Sequence, residues 1–261
     1  MDLQLKDKVF IVSGGSKGIG EGITRELAAE GAIPVIATRS QGASEKLVEE
    51  LKAKGLKAHY LLGELAEEAF CRKVVEEAAE RHGRIDGIVN NAGANDGIGL
   101  ENGNPAKFMA SIHKNLQHYY SLVHFALPYL KKSKGAVLNI SSKVALTGQG
   151  STSAYAAAKG AQLALTREWA AELLPYEIRV NAILPAEVMT PLYRKWLDTA
   201  FERPEEKEAD ICAKIPLGKR MTTKEEIAAL AAFLLSGRSA HTTGQWLIPD
   251  GGYIHLDRAL T

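Results

Sequence analysis

KVFIVSGGSKGIGEGITRELAAEGA, residues 8–32, is the stretch on which the fold of this chain turns. Its opening run is apolar and β-branched, the composition of a strand buried on both faces. A glycine-rich turn follows, and apolar residues at helical spacing then put Ile23, Leu27 and Ala28 on one face. The stretch reads as strand, turn and helix. Gly14, Gly18 and Gly20 follow the pattern GxxxGxG, with Ser16, Lys17 and Ile19 between them. This is a variant of the dinucleotide fingerprint, in which the turn admits a pyrophosphate and the helix N-terminus supplies N–H donors and the positive end of its dipole. A glycine-rich turn can also be only a tight turn, but its place between a strand and a helix favours a bound dinucleotide.

The same unit repeats downstream. IPVIATRS (33–40) is a short strand that ends in Thr38, where dinucleotide folds usually carry an acid for the ribose 2′-hydroxyl. Arg39 follows, and with Lys17 it offers two cations to a 2′-phosphate that an acid would repel, so NADP is favoured and NAD remains possible. The plainer reading of either residue alone is a solvated surface charge. Residues 42–54 then read as an amphipathic helix, KAHYLLGEL (57–65) as a strand ending at Glu64 and Leu65, and 66–82 as a second charged helix. RIDGIVNNAG (84–93) is a strand leading into Asn91, Ala92 and Gly93, small enough to let backbone approach a flat ligand. Repeated strand–helix units without a composition break predict an α/β fold, a doubly wound parallel sheet with helices on both faces. Residues 94–99 form a polar loop at a strand's carboxyl end, and 105–132 read as one long helix with Asn115 in its middle, whose plain reading is a surface amide.

The chemistry concentrates in 141–159, SSKVALTGQGSTSAYAAAK. GAVLNIS (135–141) is another buried strand, which places Ser142 at the end where open parallel sheets keep their ligand crevice. Tyr155 and Lys159 are four residues apart, hence one turn apart on one helical face. A lysine ammonium beside a phenol favours the phenolate, which would let Tyr155 act as an acid or base near neutral pH. Alone, the pair is also compatible with an ordinary helix contact. IRVNAILPAEVMTPL (178–192) is a further strand ending in a crevice loop, about 191–214 stand outside the alternation as a lid, and a helix at 223–235 and a strand at 244–252 close the chain.

Composition narrows the function classes. In 261 residues, 46% hydrophobic, one substantial core can form, so a single domain over 1–261 is expected. Lys and Arg total 32 against 31 Asp and Glu, without a long single-sign block. That predicts neither a nucleic-acid nor a membrane partner, but a small molecule. No signal-peptide core or spanning run is legible, so a cytoplasmic protein is expected. Cys71 and Cys212 are far apart and the histidines form no ligand pair, so no disulfide and no metal are expected.

Taken together, SGGSKGIG, NNAG, Asn115, the set Ser142, Tyr155 and Lys159, and the loop carrying Pro185, Val188 and Thr190 resemble the short-chain dehydrogenase/reductase family over essentially the whole chain. The resemblance implies a single-domain Rossmann fold of about seven strands in the order 3-2-1-4-5-6-7, and a homotetramer. It implies that Tyr155 is the acid/base, that Ser142 holds the reacting oxygen, that Lys159 binds the nicotinamide ribose and lowers the Tyr155 pKa, and that Asn115 anchors a water relay toward Lys159. It also implies cofactor contacts from Gly14 through Gly20, Arg39, Glu64, Leu65, 91–93, Pro185, Val188 and Thr190. Glu64 stands where Asp is usual and Ala186 where Gly is usual. Within the family, 95–100, 141–150, 185–196 and 250–260 most resemble L-fucose dehydrogenases, a bacterial sugar-oxidising branch. The implied reaction is NAD(P)-dependent oxidation of a sugar at C1. Asn95, Gln149 and Glu187, on loops around Ser142 and Tyr155, are expected to face the sugar with Ser142 and Tyr155, because amides and a carboxylate pair with several hydroxyls. Reduction of a 3-oxoacyl or other ketone on the same scaffold, and cofactor sensing without turnover, are the alternative readings.

Overall fold

The computed structural model of the protein describes residues 1–256; the part of the 250–260 resemblance beyond that lies outside the described residues. Seven strands form one parallel sheet: β1 (Val9–Ser13), β2 (Ile33–Thr38), β3 (His59–Leu62), β4 (Gly87–Asn90), β5 (Ala136–Ile140), β6 (Arg179–Ile183) and β7 (Trp246–Leu247). Their order is β3-β2-β1-β4-β5-β6-β7, the doubly wound order expected from the sequence. The helices are α1 (Gly18–Ala29), α2 (Gln41–Ala53), α3 (Glu68–His82), α4 (Pro105–Ile112), α5 (His118–Ser133), α6 (Ser153–Glu172), α7 (Pro191–Ala200), α8 (Pro204–Ala213) and α9 (Lys224–Leu235).

The period-2 geometry of a strand explains why every residue of β1 is apolar or small. Val9 and Ile11 point to the face covered by α3, α5 and α6, where they join Val74, Tyr119, Leu122 and Trp169. Phe10 and Val12 point the other way, into a core with Ile23 and Leu27 of α1 and Ile227 and Ala231 of α9. A strand buried on both faces needs apolar side chains at consecutive positions, each worth about 1.5–3 kcal/mol of burial for Val, Ile or Phe. Ala28 turns away from its helix partners to meet Ile36, Leu47 and Leu51 under α2.

Three elements differ from the sequence-based expectation. The helix expected over 105–132 is interrupted by a π-helical turn, His113–Gln117, with Asn115 buried inside it rather than exposed. Tertiary hydrogen bonds hold this turn: Asn115 Oδ1 accepts from Ala94 N at 2.8 Å and the Asn115 main-chain carbonyl accepts from Gln162 Nε2 at 2.9 Å, while Asn115 Nδ2 donates locally to the Ser111 carbonyl at 3.0 Å. The final strand is only Trp246–Leu247, since the following segment leaves the sheet toward Pro249. The stretch at 191–214 resolves into two helices, α7 and α8, joined by an ion pair between Arg194 and Glu208.

Candidate active site

Loops at the carboxyl ends of the strands enclose a cavity of about 420 Å³. Following the sheet order, its lining runs from Glu64 and Leu65 after β3 and Thr38 to Ser40 at β2, past the turn after β1 and the 91–94 turn after β4. It ends at Ser142 and Tyr155 beyond β5, with Pro185, Ala186, Val188, Thr190 and Tyr193 beyond β6. Six neighbouring strands at about 4.8 Å spacing make a crest roughly 24 Å long, a span suited to an extended dinucleotide.

The β1–α1 turn is built for close approach. Gly14 has φ +65° and Gly18 φ +55°, and a Cβ on Gly20 would collide with the Gly14 carbonyl oxygen and the Asn91 amide. Asn91 Nδ2 donates to the Ser13 carbonyl at 2.9 Å, and the Asn91 and Ala92 N–H groups donate to Ser13 Oγ at 2.9 and 3.1 Å. The two ligand turns are thereby locked to each other. The N-cap of α1, Lys17, is extended and its side chain makes no capping bond, which leaves first-turn N–H groups of the helix facing the cavity. Gly14, Ser16, Lys17, Gly18, Ile19, Asn91, Ala92 and Gly93 all line it, whereas Gly20 packs beneath. This backbone cradle fits a dinucleotide pyrophosphate.

At the β2 end, Thr38 is buried and its hydroxyl is shared with Ser16 Oγ at 3.2 Å and Ser40 N at 3.1 Å. Arg39 lines the cavity with its guanidinium bonded to Glu64 Oε2 at 2.8 Å, so the acid at 64 competes for the cation that would meet a 2′-phosphate. Lys17 is exposed and has no ion pair among the described residues.

At the other end, Ser142, Tyr155 and Lys159 line one wall, while Asn115 sits one layer behind it. Burial pushes the Tyr155 phenol up to about 12, against the opposing pull of a hydrogen bond with Ser142. Lys159 makes no hydrogen bond to the Tyr155 hydroxyl, since its amine is taken up by other acceptors. Its Nζ lies 5.5 Å from the Tyr155 ring centroid and donates to the Ile140 carbonyl at 2.8 Å, Gln162 Oε1 at 3.2 Å and Tyr119 Oη at 3.3 Å. Complete burial pushes the amine down to about 7. Beside it, burial drives the His118 imidazole down to about 3, so this cavity-lining ring is neutral.

The three residues expected to face a sugar do not line the cavity. Asn95 is exposed and its Oδ1 accepts from Gly97 N at 3.0 Å, bracing its own loop. Gln149 is exposed. Glu187 is nearly buried, paired with Lys143 and accepting from Tyr193 Oη at 2.6 Å; those two donors hold its carboxylate within the wall. The Lys143 amine also lies 4.4 Å from the Tyr253 ring centroid. Burial, then Glu187, raises the Tyr193 phenol well above its ordinary value.

Sequence reading missed Tyr193, which presents the wall to the cavity, and the inner partners Tyr119 and Gln162. A signal existed: Tyr155, Lys159, Gln162 and Thr166 form a polar stripe at i, i+4, i+7 and i+11 of α6, on a face that must meet the sheet. Among the described residues no helix is long and apolar enough to cross a membrane, no group of three ligating side chains could hold a metal, and both cysteines are free.

A family model described as enoyl-(acyl carrier protein) reductase matches residues 14–254. The L-fucose dehydrogenase of Bos taurus is 37% identical over 97% of this chain and 91% of its own length, so that name is not confined to bacteria. The 3-oxoacyl-[acyl-carrier-protein] reductase FabG of Thermotoga maritima is 32% identical over 97% of this chain and all of its own. The crystal structure of Cj0485 dehydrogenase superposes with a TM-score of 0.94 at 49% identity, covering 100% of this chain and 99% of that one.

Proposed function

Because the chain belongs to the short-chain dehydrogenase/reductase family, oxidoreductases that act on CH–OH groups with a nicotinamide cofactor, we propose that it oxidises C1 of L-fucose or a similar aldose to the lactone. The lactone would then hydrolyse to the aldonic acid. The observation that carries this reading is the gathering of Ser142, Tyr155 and Lys159 on one cavity in a chain that is 37% identical, over 97% of its length, to an L-fucose dehydrogenase.

Tyr155 Oη removes the proton from the C1 hydroxyl, and Ser142 Oγ holds the same oxygen in place. Lys159 supplies the positive charge that favours the phenolate, and its amine would hold the nicotinamide ribose. Asn115 fixes the loop at Ala94 and thereby the wall beside Gly93. A bound nicotinamide dinucleotide supplies the hydride acceptor. The 14–20 turn and the N-terminus of α1 would hold its pyrophosphate, Glu64 and Leu65 its adenine side, and 91–93, Pro185, Val188 and Thr190 its nicotinamide half. NADP is favoured through Lys17 and Arg39, with Glu64 opposing it at Arg39.

The helices at 191–214 would act as a lid, since Pro191, Leu192 and Tyr193 open α7 at the cavity edge. The exposed Met109 on α4 and Tyr120 on α5 support a homotetramer, and two free thiols suit the cytoplasm.

The test is an initial-rate screen of L-fucose, D-arabinose, L-galactose and several secondary alcohols with NADP⁺ and NAD⁺. Aldose oxidation supports the reading, and its absence together with turnover of a 3-oxoacyl thioester overturns it. That second reading, ketone reduction, draws on the end-to-end likeness to the Thermotoga maritima reductase.

A further inference from the structure

Lys159 is almost fully buried behind its place in the cavity wall. Tyr119 and His118 face it from α5, Tyr155 from its own helix, the Ile140 carbonyl from β5 and the Gly93 backbone from the turn after β4. Among the described residues no carboxylate acts on it. A fully buried amine without a counter-ion depends on neutral acceptors for its charge. The Ile140 carbonyl and Tyr119 Oη are two of these, and Tyr119 spends its own proton on the same carbonyl at 2.9 Å. The third acceptor is Gln162 Oε1.

The orientation of that amide is forced by its other end. Gln162 Nε2 lies 2.9 Å from the main-chain carbonyl of Asn115, which can only accept, so the nitrogen must face it and the oxygen is left for Lys159. The main-chain carbonyl of Gln162 accepts from Thr166 Oγ1 at 2.7 Å, Thr166 Oγ1 accepts from Asn139 Nδ2 at 2.9 Å, and Asn139 Oδ1 accepts from Asn90 Nδ2 at 3.0 Å. This row of buried polar groups anchors the turn of α6 that carries Gln162, while the side-chain amide spans Asn115 and Lys159. Gln162 thereby joins Asn115 to Lys159, the pair that the family resemblance links through a water.

We propose that Gln162 is a positioning residue of the catalytic centre: its amide ties the Lys159 amine to the π-helical turn at Asn115 and sets the charge that Lys159 presents to Tyr155. The inference rests on the Tyr155–Lys159 chemistry proposed above. Because Gln162 bonds Lys159 and does not line the cavity, it governs how the rate depends on pH, while substrate contacts stay as they are.

The experiment uses the full-length protein labelled with ¹³C-lysine, the Lys159 signal assigned by its loss in Lys159→Arg, and titration followed by NMR without sugar or nucleotide. Gln162→Met keeps the length and removes the acceptor, and Gln162→Glu places a carboxylate there. The Lys159 midpoint should fall by about one pH unit in Gln162→Met and rise by at least as much in Gln162→Glu. In parallel, kcat for oxidation in Gln162→Met should drop about tenfold at neutral pH and recover toward the wild-type value at high pH. A midpoint unmoved in the folded variants overturns the proposal, as does a rate loss equal at every pH, which marks a merely structural residue. Should Gln162→Met fail to fold, the direction of shift in Gln162→Glu decides. Failure of the aldose assignment would appear only in the substrate screen, since the lysine titration is read on the protein alone.

Discussion

The two ends of the cavity are made of different material. The end at β1 and β4 is backbone: glycines with left-handed φ, an uncapped helix start and a turn stapled to Ser13. The end at β5 and β6 is side chain: Lys143, Glu187 and Tyr193 hold one another, and Lys159 hangs on Gln162, Tyr119 and a carbonyl. A backbone site tolerates change nowhere in its glycines and almost anywhere around them. A side-chain site redistributes when one partner is lost, because charges and hydrogen bonds find new mates. The first end is therefore general to a cofactor, and the second is where selectivity can vary.

The largest effect is expected from Tyr155→Phe, which removes the acid/base and should cost roughly 10²–10⁴-fold in kcat, measured by steady-state oxidation with nucleotide affinity unchanged. In the wild type, kcat/KM for oxidation should climb as pH is raised from 7 to 10. The phenol, pushed up to about 12 by burial, keeps its proton at neutral pH, and only the deprotonated form can act as base. A rate that falls with rising pH over that window would break the assignment. Next comes Gly20→Val, which forces side-chain atoms against the Gly14 carbonyl. Nucleotide affinity should weaken by about 100-fold and stability by about 1–3 kcal/mol, read by titration calorimetry and thermal melting.

Glu187→Gln sharpens the contrast from the other end. It leaves Lys143 without its counter-ion and loosens Tyr193, for a cost of about 1–3 kcal/mol. Roughly tenfold of kcat/KM for sugars should go while the nucleotide Kd stays at its wild-type value. Smaller shifts should follow at the β2 end: Arg39→Ala should lower NADP⁺ affinity a few-fold with NAD⁺ unaffected, and Glu64→Gln, by freeing the guanidinium, should raise it. The smallest effects are expected from Asn95→Ala and Gln149→Ala. With one residue bracing its own loop and both exposed, sugar kinetics should stay within about twofold.

The glycine turn, the alternation of strands and helices and the Tyr155–Lys159 spacing were legible in the sequence because each follows from a local rule: a turn chemistry, a period, a helical repeat; the strand order came from the family resemblance. What was less legible shares a cause. Asn95, Gln149 and Glu187 were assigned by loop position, but where a loop side chain points depends on the partner it meets, and Glu187 meets Lys143, 44 residues away. Asn115 was singled out by the family resemblance, but the break in its helix was not legible: bonds to Ala94 and Gln162 from distant segments stabilise the π-helical turn that buries it.

By itself, the sequence determined the parallel sheet and the identity of the hydroxyl, phenol and amine at the crevice, since apolar periodicity and spacing along one helix need no long-range information. Only the tertiary structure decided the state of those groups. The pKa of Tyr155 and the direction of the Lys159 amine depend on how deeply each is buried and on which acceptors other elements bring within about 3 Å, and no spacing along a single segment encodes that encounter.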